Sequence, residues 1–104
     1  MSTVAEIWFN YNNAIHQADR LDEVAGNLRN LANSRMETSM QTLSSGWKGE
    51  NATAFLNKEG ILKGDILNTA TEVSSAAGEI RRIAAVVRDA ELEAERIARE
   101  RMTT

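Results

Sequence analysis

The sequence predicts an all-α protein in which two long helices fold back on each other as an antiparallel helical hairpin. Three observations predict it: apolar residues recur at alternating four- and three-residue spacings through both halves, a short break rich in small residues separates the halves, and proline is absent throughout. The 104 residues read as a single domain, small enough that one chain buries only a modest core, so self-association is expected.

In the first half the apolar row runs through Val4, Ile7, Tyr11, Ala14, Ala18, Leu21, Ala25, Leu28 and Ala32. This is the seam of a heptad helix. The next position in that frame would be Arg35, yet the apolar set continues at Met36, Met40 and Leu43, an offset that straightens a supercoil locally. Trp8, Ile15, Val24 and Leu31 flank the row and widen it beyond what one antiparallel neighbour covers, so a second helical neighbour is expected. The helix is expected over 4–43. Ser44, Ser45 and Gly46 are weak helix formers, and Gly46 is suited to a C-terminal cap, which makes 44–49 the turn.

The second helix is expected over 50–101. Its seam is read at Ala52, Phe55, Leu62, Ile66, Val73, Ala76, Ile80, Ile83, Val87, Ala90, Ala94 and Ile97. A neighbouring row, Leu56, Ala70, Ala77, Ala84 and Ala98, has small side chains that would admit another helix closely. Trp8, Ile15, Ala70, Ala77 and Ala84 are therefore the expected dimer interface. Folding back at Trp47 exhausts the first helix near Asp89, so an overhang is expected from about residue 89.

Composition narrows the function. A net charge of -3 gives no long-range field that would gather phosphate backbones or an anionic membrane, so nucleic acid is not an expected partner. Cysteine is absent, which removes disulfide and thiol chemistry. The first residues, Met1 to Trp8, have neither a basic nor an apolar region of a Sec-type signal peptide, so any export is expected by another route. The apolar run Ile83–Val87 is far shorter than the roughly 20 residues of a membrane span. Neither a phosphate-binding loop nor a nucleophile elbow occurs, and the lone histidine, His16, lacks the acid three residues before it that a di-iron helix motif would need. No catalytic, cofactor-binding or metal-binding residue is expected, and the chain is not read as an enzyme.

The central Trp47-Lys48-Gly49, followed by Ala52, Ala54 and Phe55 and bracketed by two long helices in a chain of this length, resembles the WXG family of ESAT-like proteins. The resemblance covers nearly the whole chain, with Trp47 and Gly49 as its turn motif. It implies a helical hairpin that dimerises into an antiparallel four-helix bundle. It further implies a bacterial, virulence-associated protein, cytoplasmic until exported folded by a type VII (ESX) secretion system whose ATPase is a partner, and acting as effector, adaptor or secretion component.

The family's secretion signal is a tyrosine followed four residues later by an acid. The matching place here has Glu91 but Val87 where the tyrosine would stand, and a looser pattern of the family is met by Val87, Glu91, Ala94 and Ala98. A homodimer is the favoured assembly and a heterodimer with a related chain its rival. The alternative to the export reading is a structural coiled-coil scaffold in which Trp47 only packs.

Overall fold

Helix starts and stops follow from local chemistry. In the computed structural model, which describes residues 2–103, Thr3 caps the first helix: its Oγ1 accepts a hydrogen bond from the Glu6 N–H at 3.2 Å and donates one to Glu6 Oε1 at 3.1 Å. That side-chain cap launches α1, Val4–Asn30. The helical run continues through a π-helical stretch, Leu31–Met36, into α2, Glu37–Gly46, and after the reversal the chain forms α3, Glu50–Thr103. Among the described residues there is no strand.

The offset near Arg35 falls inside the π-helical stretch. A π turn closes i to i+5 and holds an extra residue. Three consecutive four-residue steps, Leu28 to Ala32 to Met36 to Met40, thereby stay on one face instead of drifting around the helix. Ala32 is fully buried and Met36 and Met40 half-buried, as that account requires.

Helix α2 reaches Gly46, three residues beyond Leu43. Ser44 and Ser45 turn their hydroxyls back onto the carbonyls of Gln41 and Thr42 at 3.0 and 2.9 Å, so these weak helix formers satisfy the helix instead of ending it. Trp47 then turns extended, φ -117° and ψ 121°, and its N–H closes the helix on the Leu43 carbonyl. Gly46 remains helical, and the positive φ expected there belongs to Gly49 at 117°. The Gly49 carbonyl accepts from the Thr53 N–H and hydroxyl at the start of α3.

The chain divides into two compact units, residues 1–21 with 75–104 and residues 22–74. In the second unit, Lys63 Nζ reaches Glu37 Oε2 at 2.8 Å, and Ser74 Oγ stands 3.3 Å from both Asp22 Oδ1 and Arg29. In the first unit, Arg81 pairs with Asp19 at 2.9 Å. Ser2 and Ile7 share a small open hollow with Glu91 and Ala94. The reversal is centred on Lys48, later than the middle of the expected turn, and this moves the register of α3 along α1.

The larger correction concerns the face of α3. One row of buried or half-buried positions follows a four-three repeat, Ala52, Leu56, Glu59, Lys63, Leu67, Ala70, Ser74, Ala77, Arg81, Ala84, Arg88, Glu91, Glu95 and Ala98, and Ile66, Val73 and Ile80 of the expected seam are half-buried beside it. The most buried positions of α3, Ala52, Ala70 and Ala77, all lie in this row. Ala70 and Ala77, expected in a dimer interface, are 0% exposed within their own chain. Small side chains let helix backbones approach, so the alanines take the contact and longer apolar residues are pushed to its flank. One carboxylate oxygen in this row, Glu59 Oε2, is buried with no hydrogen-bond partner.

Alanine in place of Gly49 is expected to cost about 1–2 kcal/mol because of its backbone conformation. Gly46→Ala, with open space around the new methyl, is expected to be neutral or to stabilise by up to about 1 kcal/mol. Urea unfolding of the two variants checks the contrast. Acid supplies a second test. The Lys63 hydrogen bond and charge hold the Glu37 carboxyl below its usual 4.5, so the stability it contributes is present above the unfolded value and lost as pH falls through the folded one. Thermal midpoints are expected to fall from about pH 6 to about pH 3, and to fall less in Lys63→Met.

Candidate interaction surface

The residues expected as the α3 seam are instead largely open. Phe55 is 40% exposed, Leu62 52%, Ile83 51%, Val87 46% and Ile97 37%, and Ala76, Ala90 and Ala94 are exposed beside them. Exposed large apolar residues at heptad positions of one helix, here Phe55, Leu62, Ile83 and Ile97, are not the scattered singletons normal on a monomer. In the first unit this row borders a groove of about 260 Å³ walled by Ile7, Tyr11 and Ala14 of α1 and by Ile80, Ile83 and Val87 of α3.

Val87 and Glu91, two residues of the candidate secretion signal, both line this groove, Val87 exposed and Glu91 half-buried. Ala94 is exposed and Ala98 half-buried. Of the expected dimer residues, Trp8 is exposed, and Ile15 and Ala84 are half-buried. Trp8 is engaged inside its own chain. Its ring meets Tyr11 edge-on at 5.8 Å, and the Arg88 guanidinium lies 4.5 Å from the Tyr11 centroid and 5.3 Å from that of Trp8. Such cation–π stacking holds Arg88 at the edge of the groove. Arg88 Nε also donates to Asp89 Oδ1 at 2.9 Å.

In the second unit, Trp47 is 42% exposed at the reversal. Its ring packs on Phe55 at 5.5 Å with the planes tilted by 50°. The turn motif thus presents one face of an indole whose other face rests on the first turns of α3. Gly49 borders a shallow open hollow with Glu50, Thr53, Ala54 and Asn57.

Several acids outside the seam are tied locally. Glu79 pairs with Arg82, and Glu93 and Glu100 pair with Arg96. Hydrogen bonds from Arg82 and Arg96 hold the Glu79 and Glu93 carboxyls below the usual range. His16 is exposed, and among the described residues no three of His, Cys, Asp and Glu cluster as a metal site would need. No helix among them is long and apolar enough to cross a membrane. The Thr3 cap was legible from the spacing of Thr3 and Glu6 alone; the Arg88 stack was not, since its aromatic partners lie far away in sequence. The features that stand out are thus an open apolar face and a half-exposed tryptophan at the reversal, and no family model, curated protein or solved structure matches the chain.

Proposed function

We propose that this chain is a non-enzymatic pairing protein, whose open apolar face is covered by another helical chain in a four-helix bundle. Following its resemblance to the WXG family, we further propose that a type VII secretion ATPase exports it from a bacterium by a signal-peptide-independent route, as effector, adaptor or secretion component. The observation that carries the reading is Trp47. The reversal requires the positive φ of Gly49 but makes no comparable demand for an indole at Trp47, and a tryptophan left 42% exposed on a small helical chain fits recognition by a partner. Val87 and Glu91, set side by side along the first-unit groove, supply the second part of the proposed signal.

The rival reading is a structural scaffold, and one contact favours it: the stacking of Trp47 on Phe55 gives the indole a packing role. Replacing Trp47 separates the two. In a bacterium carrying a type VII system, Trp47→Ala is expected to lower the exported fraction at least tenfold while circular dichroism of the purified variant keeps its helix content. Undiminished export would sink the recognition role, and loss of helix would assign Trp47 to packing.

A further inference from the structure

We infer that the groove of the first unit is a binding site for a linear aliphatic amine, whose chain lies along the apolar walls and whose ammonium pairs with Glu91. The inference goes beyond the export reading, which uses Val87 and Glu91 but names no ligand for the groove.

The walls set the apolar part of the ligand. All of them belong to one compact unit, residues 1–21 with 75–104. Ile7, Tyr11 and Ala14 line one side and Ile80, Ile83 and Val87 the other, around about 260 Å³. An apolar cavity of about 150 Å³ holds a six-carbon ring, so this groove has room for a chain of about eight carbons. Ile83 is 51% exposed and Val87 46%, and a chain laid against them takes that apolar surface out of water.

The charges at the edge set the polar part. Arg88 is already engaged, since its Nε donates to Asp89 and its guanidinium lies against the rings of Tyr11 and Trp8. An anionic ligand would have to compete with Asp89 for it. Glu91 lines the same groove, half-buried, and has no hydrogen-bond or ion-pair partner among the described residues. It stands alone in this among the acids that follow Ser75. Glu79 is paired with Arg82, Asp89 with Arg88, Glu93 and Glu100 with Arg96, and Glu95 with Arg99. The charge the groove leaves unanswered is therefore negative, and the complementary ligand carries a cation on an aliphatic stem. A half-buried carboxylate is partly stripped of water, so a charge-assisted hydrogen bond from an ammonium is stronger there than on the open surface.

Three octyl probes of different charge test this by ¹⁵N–¹H NMR of the full chain at about pH 7. Octylammonium is expected to shift the signals of Ile7, Tyr11, Ile83, Val87 and Glu91 and to saturate them with a Kd below about 1 mM, a modest affinity for so small a ligand. Octanoate, with the same chain and the opposite charge, is expected to bind more weakly than octylammonium, and uncharged 1-octanol to fall between them. Glu91→Gln keeps the size of the side chain and removes its charge. It is expected to weaken octylammonium at least about threefold and to leave 1-octanol unchanged. No saturation by about 5 mM octylammonium, shifts centred on other residues, or equal affinity for Glu91→Gln overturns the proposal. Octanoate binding as tightly as octylammonium also overturns it, and that comparison uses the unaltered chain, so it decides even if the variant folds poorly. Export is scored separately, so failure of octylammonium to bind leaves the Trp47 reading standing.

Discussion

The structure depends on a narrow line of alanines. Ala18, Ala25, Ala32, Ala70 and Ala77 are fully buried, and Ile7 is the only large side chain among the buried apolar residues described. Methyl groups let two helices approach closely, but each buries little area, at about 0.8 kcal/mol per carbon of that size. Such a seam is specific in geometry and weak in energy. Apart from Ile7, the leucines, isoleucines and aromatics are half-buried or exposed, so one chain leaves them partly in water.

That displacement links the rest of the molecule. Ion pairs and hydrogen bonds spaced along the seam, Asp19 with Arg81, Asp22 and Arg29 with Ser74, and Glu37 with Lys63, do the register-setting that interlocking large side chains perform in an ordinary core. The π-helical stretch keeps the apolar residues of the first run on the seam up to Met40. Gly49 permits the reversal, and Trp47 caps it against Phe55. What remains is an apolar α3 face next to the seam, left partly in water.

The helix-forming repeat, the break and the offset near Arg35 were all legible in the sequence, because spacing alone encodes them. The seam of the first helix was legible too, since its small and apolar residues share one row. In α3 two adjacent heptad rows share Ala52 and Glu59, and the more buried row is not the more apolar one. Hydrophobic pattern ranks rows by what they gain on leaving water, whereas the choice between two rows facing one neighbour turned on how closely the backbones approach. Arg81 and Arg88, polar by composition, sit in the seam because Asp19 pairs with one and the Trp8 and Tyr11 rings stack on the other. No single-helix pattern shows such long-range partners. The end of α2 was misplaced for a local reason, the serine hydroxyls bonding back to the helix.

The assignment of the two α3 rows is tested most directly by thiol labelling of single-cysteine variants at concentrations low enough to keep the chain monomeric. With the small-residue row against the first helix, Ala77→Cys reacts slowly, at a rate set by opening of the fold, while Ile83→Cys reacts close to the rate of a free thiol. Fast labelling at position 77 with protection at position 83 would contradict it and return the apolar row to the intrachain seam.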